Sequence, residues 1–138
     1  QTGREGEEMT KPRLLTIDDD PGFRIFVRQA AEDCGFDVLT VAEEVEFKAA
    51  LARGGFDGLV LDLSMPETDG IELLRHLADV KTRAPVLIVS GFAERIREAA
   101  LRLGEARGLN MAGVLSKPVR AAELKAKLRE LVGLPGVE

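Results

Sequence analysis

The sequence contains few of the residues that form disulfides or bind zinc. Its 138 residues include one cysteine and one histidine. The single cysteine, Cys34, cannot form an internal disulfide, which fits a reducing compartment, so we expect a cytoplasmic protein. With one cysteine and one histidine available, a zinc site is not expected either.

Aromatic residues and an excess of positive charge are also lacking. Aromatic residues make up 4% of the chain and the formal net charge is -5, whereas a nucleic-acid-binding surface is typically basic. No apolar run approaches the ~20 residues that a membrane span needs. We therefore predict no direct contact with nucleic acid or membrane. Hydrophobic residues make up 45% of the chain, which is typical of one domain with a packed core.

Short apolar runs alternate with helical patterns along most of the chain. This alternation predicts an α/β domain with a parallel sheet. Strands are predicted at 13–17, 37–41, 57–62, 84–90 and 111–116. Helices are predicted at 21–34, at 43–53, after the cap Asp69, around Ile96, Ala99, Ala100 and Leu103, and at 120–132. We expect residues 1–10 to be a flexible leader, 11–132 the domain, and 133–138 a tail or linker.

Polar side chains follow four of the apolar runs. Because parallel strands point the same way, residues just beyond their ends gather at one edge of the sheet, where open α/β sheets bind ligands. Carboxylates, a hydroxyl and a lysine meeting there predict a metal-assisted phosphoryl site. The residues concerned are Asp18, Asp19 and Asp20 after the first run, Asp62 after the third, Ser90 after the fourth and Lys117 after the fifth.

The acidic cluster needs a compensating positive charge. Two carboxylates about 4 Å apart repel each other by roughly 4 kcal/mol at an effective dielectric near 20. Mg²⁺ removes that cost, and it usually takes one or two carboxylates together with phosphate oxygens. Asp62 stands alone at the end of a buried strand, which suits a carboxylate nucleophile that forms an acyl phosphate. Lys117 and the Ser90 hydroxyl are suited to neutralising the phosphoryl oxygens.

The motifs in this order resemble the response-regulator receiver domain. The matching segments are 15–21 (LTIDDDP), 61–66 (LDLSMP) with Asp69 and Gly70, 89–91 (VSG) and Lys117-Pro118. The resemblance spans about residues 13–132. It implies a flavodoxin-like (βα)5 three-layer sandwich with a five-stranded parallel sheet in the order 2-1-3-4-5.

The resemblance also implies a role in two-component signal transduction. It implies a signalling domain and not an enzyme, phosphorylated on Asp62 by a histidine kinase or a histidine phosphotransfer protein. Phosphorylation would switch a surface that acts on a downstream output protein or a fused output domain. The resemblance also implies a second copy of the chain as a partner, in a homodimer formed through helix four, strand five and helix five.

Individual roles follow from the same resemblance. Asp19 and Asp62 match direct Mg²⁺ ligands together with the main-chain carbonyl of Ser64, and Asp18 matches a ligand through water. Ser90 matches the switch hydroxyl and Lys117 the phosphoryl-binding lysine. Asp20 falls where the family often has glutamate and is not expected to be a ligand.

Two features depart from the family pattern. Val114 replaces the aromatic residue that the family carries in strand five, so an output that buries that ring is not expected to operate in the usual way. Residues 103–113 are expected to form a longer connection between helix four and strand five than the common Gly-Ala. In this respect the chain is similar to receivers attached to EAL-type cyclic-di-GMP phosphodiesterases.

Two other functions remain open from the residues. A haloacid-dehalogenase-like phosphohydrolase also places Asp-x-Asp after its first strand, although Pro21 stands where such enzymes usually have glycine and no acidic pair follows a later strand. A binding module that keeps the fold without being phosphorylated is the other alternative. Incubation with acetyl phosphate and Mg²⁺ distinguishes the three functions. A receiver domain should form a slow stoichiometric acyl phosphate, a phosphohydrolase should turn over rapidly, and a binding module should not react.

Overall fold

The computed structural model describes residues 11–63, 70–91 and 94–133, which form five β-strands and five α-helices. The elements in chain order are β1 (Arg13–Ile17), α1 (Pro21–Asp33), β2 (Asp37–Val41), α2 (Glu44–Arg53), β3 (Gly58–Asp62), α3 (Gly70–Asp79), β4 (Val86–Ser90), α4 (Glu94–Ala106), β5 (Met111–Ser116) and α5 (Ala121–Leu131). The predicted leader at 1–10, the Asp69 cap and residues 134–138 of the predicted tail lie outside the described residues.

The predicted alternation of strands and helices is confirmed, with small differences at the ends of the elements. The strand predicted from 84 begins at Val86, and the strand predicted from 57 begins at Gly58. The connection expected over 103–113 is shorter than predicted, because α4 continues to Ala106 and β5 begins at Met111. Two helices begin one residue later than predicted, because Glu43 and Arg120 keep an extended backbone and act as N-caps. Such residues lie half inside the helix, so sequence periodicity does not separate them from its first turn.

All five strands are parallel, in the order β2-β1-β3-β4-β5, as predicted. Strand β3 lies in the centre, paired with β1 on one side and β4 on the other. Every residue of β3 and of β4 is buried, which is typical of parallel strands covered on both faces. The central strands therefore end at a well-defined edge that can hold polar side chains in fixed positions.

Helices cover both faces of the sheet and form two separate cores. Helices α1 and α5 pack on one face, where Val27 and Leu128 lie against Leu14 and Val60. Helices α2, α3 and α4 pack on the other face, around Phe47, Leu74 and Ala100. Burying a side chain such as Phe47 or Leu74 stabilises the fold by about 1.5–3 kcal/mol relative to leaving it exposed. No helix in the described ranges is both long and apolar enough to span a membrane.

The inner face of α4 is formed by small residues. Ile96, one of the apolar residues that mark this helix in the sequence, is 42% exposed, and Ala99 is exposed as well. The buried residues of α4 are Ala100 and Gly104. A Cβ at Gly104 would collide with the Met111 side chain, so the missing side chain is what lets α4 lie close to β5.

Candidate functional site

The ends of the three central strands bring the predicted polar residues together. Asp62 is the last residue of β3, Ser90 is the last residue of β4, and Asp18 directly follows β1. The register pairs Ile17 with Leu61 and Asp62 with Val89, so these strands finish at nearly the same level. The parallel direction of the sheet thus gathers carboxylates and a hydroxyl at one edge, which we call the carboxyl edge.

Three carboxylates form a compact group at this edge. One oxygen from each of Asp18, Asp19 and Asp62 lies within 4.8 Å of the other two. Asp18 and Asp62 are buried, with 4% and 3% exposure, whereas Asp19 is exposed. This arrangement of two buried oxygens and one exposed oxygen suits a divalent cation that also keeps water ligands.

Lys117 places its ammonium group between the two buried carboxylates. Its Nζ lies 2.9 Å from Oδ2 of Asp18 and 3.4 Å from Oδ2 of Asp62. The main chain holds the lysine beside β4, since its amide donates a hydrogen bond to the Ser90 carbonyl at 3.0 Å. The following peptide, Lys117–Pro118, is cis. With its side chain 22% exposed, Lys117 is the cation that links β1, β3 and β5 at the site.

Burial and charge shift the pKa values of this pair. Burial raises the pKa of the Asp18 carboxyl above its ordinary value, and the charge of Asp62 raises it further, while hydrogen bonds from the Asp20 amide and from Lys117 oppose the rise. Burial alone would lower the pKa of Lys117, but the hydrogen bonds and charges of Asp18 and Asp62 outweigh it and raise the pKa above its ordinary value. Ionised Asp18 is therefore costly in the absence of further positive charge.

The loop between β1 and α1 is fixed by hydrogen bonds from its own residues. Oδ1 of Asp18 accepts from the Asp20 amide at 2.9 Å, and Oδ1 of Asp20 accepts from the Gly22 amide at 3.0 Å. Asp20 is the N-cap of α1, and one of its carboxylate oxygens therefore points at its own helix. Nη1 of Arg24 donates to the Asp18 main-chain carbonyl at 2.8 Å, which ties the first turn of α1 to the end of β1.

One contact at the site was missed by sequence reasoning. Nζ of Lys117 lies 4.2 Å from the centroid of the Phe23 ring. Phe23 is half-buried and lies in the first turn of α1. The sequence offered one indication of this contact, which is the position of Phe23 in the chain. The first helical turn after β1 must lie at the carboxyl edge, so its side chains are close to the site.

Some predicted residues lie outside the described part of the chain. Ser64, whose main-chain carbonyl is an expected Mg²⁺ ligand, is one of them, and so is Phe92 after β4. Ser90 is described and fully buried. Val114 is half-buried and packs against the core beneath α2, α3 and α4.

A parallel sheet of this order with an acidic group and a lysine at its carboxyl edge defines the receiver class. The chain belongs to the response regulator receiver domain family, whose model matches residues 14–129. It is a receiver domain of the two-component response regulators, which is a signalling domain. Family membership confirms the predicted class, and the observed strand order is the one that this class implied.

Relatives and solved structures agree with this membership. The chain is 30% identical over 118 residues to the regulatory protein VirG of Agrobacterium tumefaciens, a match that covers 84% of this chain and 42% of VirG. Among solved structures, a response regulator from Colwellia psychrerythraea is 27% identical with a TM-score of 0.75, covering 90% of this chain and 98% of that one. A CheY-like receiver domain protein from Methanospirillum hungatei shares the fold at 22% identity, with a TM-score of 0.79, covering 90% and 95% of the two chains.

Proposed function

We propose that Asp62 accepts a phosphoryl group from a histidine kinase or a histidine phosphotransfer protein, with Mg²⁺ as the cofactor. The observation that carries this proposal is the Lys117 ammonium group held between Asp18 and Asp62 at the carboxyl edge. A buried carboxylate with a cation and two further acidic side chains beside it has the groups that phosphoryl transfer requires.

The transfer is an exchange of one bond to phosphorus for another. A carboxylate oxygen of Asp62 forms a bond to phosphorus while the bond from phosphorus to the donor's imidazole nitrogen breaks. The electron pair of the broken bond returns to that nitrogen, and the product on this chain is an acyl phosphate. The phosphoryl oxygens keep their negative charge throughout, and Lys117, whose Nζ lies 3.4 Å from Oδ2 of Asp62, is placed to neutralise them once they are bound there.

The acidic group fits the magnesium ion that this family binds. We propose Asp19, Asp62 and the Ser64 main-chain carbonyl as direct ligands and Asp18 as a ligand through water. One ammonium group cannot neutralise three carboxylates that approach one another within 4.8 Å. When bound, Mg²⁺ supplies positive charge that offsets the carboxylates and the phosphoryl oxygens.

Asp19→Asn should weaken Mg²⁺ binding at least about tenfold, because even supporting residues around metal ligands typically change affinity by 10–100-fold. Asp20→Asn is the matched control, since it is the adjacent exposed residue and asparagine also caps helices well. It should stay within about twofold of wild type. Calorimetric titration measures both, and Mg²⁺ should raise the melting temperature less in Asp19→Asn. Equal affinity in Asp19→Asn and wild type would remove Asp19 from the site.

We further propose that Lys117 and Ser90 convert phosphorylation into a change of the surface formed by α4, β5 and α5. The phosphoryl oxygens attract the Lys117 ammonium and the Ser90 hydroxyl, which biases the loops after β4 and β5 toward one of two arrangements. Typical coupling energies of about 1–3 kcal/mol change partner affinity roughly 5- to 150-fold. Because Val114 replaces the usual aromatic residue, we expect a smaller shift or one transmitted through Phe92 and α4.

A beryllium fluoride mimic of the acyl phosphate should shift backbone amide resonances of α4 and β5 as well as those next to Asp62. Ser90→Ala should reduce the distant shifts while leaving those around Asp62, since the hydroxyl is the proposed link. Nuclear magnetic resonance with and without the mimic measures this directly. Shifts confined to the loops at Asp18 and Asp62, with α4 and β5 unmoved, would show that this receiver does not signal through that surface.

The proposed partners follow from this activity. Upstream we propose a histidine kinase or histidine phosphotransfer protein, and downstream an output protein or a fused output domain. The surface of α4, β5 and α5 is also the proposed homodimer contact. We propose a cytoplasmic location. The chain spans less than half of VirG, so we do not assign the downstream function of VirG to this chain.

Treatment with acetyl phosphate and Mg²⁺, followed by intact-mass measurement, tests the proposal. We expect one phosphate per chain, formed slowly and lost slowly. Rapid release of inorganic phosphate without a stable adduct would favour the phosphohydrolase. The structure already disfavours that function, because the Asp-x-Asp pattern of such enzymes needs both Asp18 and Asp20, and Asp20 caps its own helix. No adduct and no turnover would favour the non-phosphorylated binding module.

A further inference from the structure

The Phe23 ring lies against the ammonium group of Lys117 at the carboxyl edge. The distance from Nζ to the ring centroid is 4.2 Å, well within the roughly 6 Å over which a cation is attracted to the face of an aromatic ring. The lysine side chain is 22% exposed, so water only partly screens this attraction. The contact therefore involves the charged ammonium group and the ring face, and not only the apolar part of the lysine side chain.

The ring itself is held in place by the start of α1. The Asp20 cap and the bond from Arg24 to the Asp18 carbonyl fix the first turn of the helix to the end of β1. Phe26, one turn further along, packs against Phe23 with ring centroids 5.5 Å apart and planes tilted by 43°. Phe23 is consequently a rigid partner for a flexible side chain.

The ammonium group is held from different directions by different kinds of group. Asp18 and Asp62 accept two of its hydrogen bonds, and the ring lies at 4.2 Å from the same nitrogen. A lysine has a long flexible stem and loses up to about 2 kcal/mol of side-chain entropy when it is fixed. A ring that restricts the stem before any phosphoryl group arrives removes part of that cost from the reaction.

We propose that Phe23 is a positioning residue, whose ring holds the Lys117 ammonium group through a cation–π contact in the place from which it binds the phosphoryl group on Asp62. This inference rests on the proposed function of Asp62 and Lys117. Phe23 touches neither the phosphoryl donor nor the reacting oxygen in this account. It acts through the lysine alone.

Phe23→Leu should slow phosphorylation by acetyl phosphate about two- to fivefold, which corresponds to the loss of one partly exposed cation–π contact. Phe23→Tyr should restore the wild-type rate, because tyrosine keeps the ring face. Phe56→Leu is the matched control, since the Phe56 ring also faces a cation, with Cζ of Arg13 4.5 Å from its centroid, but lies just before β3 at the end opposite Asp62. This variant should stay within the error of wild type. A rate in Phe23→Leu equal to that of Phe56→Leu would overturn the proposal, because leucine retains apolar cover and lacks only the ring.

A spectroscopic signature separates positioning from general packing. The ring current of Phe23 should shift the resonances of the Lys117 Cε protons upfield in the unphosphorylated protein. Phe23→Leu should remove this shift, whereas Phe23→Tyr and Phe56→Leu should keep it. A Lys117 resonance that is unchanged in Phe23→Leu would show that the ring does not face the ammonium group in solution, and the proposal would then be wrong.

The two measurements also separate this proposal from the proposed function. If the wild-type protein takes up no phosphate, the proposed function fails, and with it the positioning role, even where the ring-current shift is present. If the wild-type protein is phosphorylated on Asp62 and Phe23→Leu reacts as fast as Phe56→Leu, the proposed function stands and the role of Phe23 falls. A slower Phe23→Leu that Phe23→Tyr restores, together with the lost upfield shift, supports both.

Discussion

Asp62→Asn should abolish formation of the acyl phosphate, while the protein remains folded. Asparagine has nearly the same size as aspartate, and its amide is not a nucleophile toward phosphorus. Lys117 keeps its 2.9 Å contact with Asp18, and one fewer carboxylate in the group lowers the repulsion there. We therefore expect a melting temperature no lower than that of wild type, and no mass increase after treatment with acetyl phosphate and Mg²⁺.

Asp57→Asn is the matched control for this change. Asp57 directly precedes β3 at the opposite end from Asp62, is exposed, and accepts a hydrogen bond from the Arg13 amide at 2.8 Å. Asparagine can still accept that bond, so the variant should be phosphorylated as wild type is. Phosphate uptake that persists in Asp62→Asn would assign the chemistry to another residue of the chain.

Lys117→Met should slow phosphorylation about a hundredfold or more, as the loss of one preorganised charge at a transition state typically does. It should also destabilise the protein, because it removes the cation paired with two carboxylates that are 4% and 3% exposed. Breaking a buried ion pair from one side costs about 3–5 kcal/mol. Since Lys117 is partly exposed, we expect a value at the lower end of that range. Denaturant unfolding measures the loss, and Mg²⁺ should recover part of it.

Lys125→Met isolates the effect of carboxylate burial. Lys125 is paired with Asp33 at 3.0 Å and its side chain is 29% exposed, close to the 22% of Lys117, but Asp33 is 60% exposed. Exposed pairs contribute about 0–1 kcal/mol, so this variant should unfold nearly as wild type does and be phosphorylated normally. Equal destabilisation by Lys117→Met and Lys125→Met would contradict the account of a buried charge group at the carboxyl edge.

The location of the site could be predicted because it depends on the direction of the strands. Asp18, Asp62 and Ser90 each follow a short apolar run, and alternation with helices makes those runs parallel. Parallel strands bring such residues to one edge whatever the side chains around them. The receiver resemblance added the sheet order, which the fold confirms.

Other features depend on packing that the apolar pattern does not contain. The apolar pattern of α4 includes the large residue Ile96, yet Ile96 is exposed. The helix instead packs on the sheet through Gly104, whose lack of a side chain leaves room for Met111. The contact between Phe23 and Lys117 joins residues almost a hundred positions apart, and it depends on where α1 begins and on the side-chain conformations. Sequence periodicity indicates which side of a single helix or strand is buried. Both of these contacts join two different elements, so periodicity does not predict them.

Reductive trapping of the phosphorylated wild-type protein tests the central claim most directly. Borohydride converts an aspartyl phosphate to homoserine, and peptide sequencing by tandem mass spectrometry then locates the changed residue. We predict homoserine at position 62, only after treatment with acetyl phosphate and Mg²⁺. Homoserine at position 18 or 19, or a stable phosphate on a side chain that borohydride leaves unchanged, would contradict it.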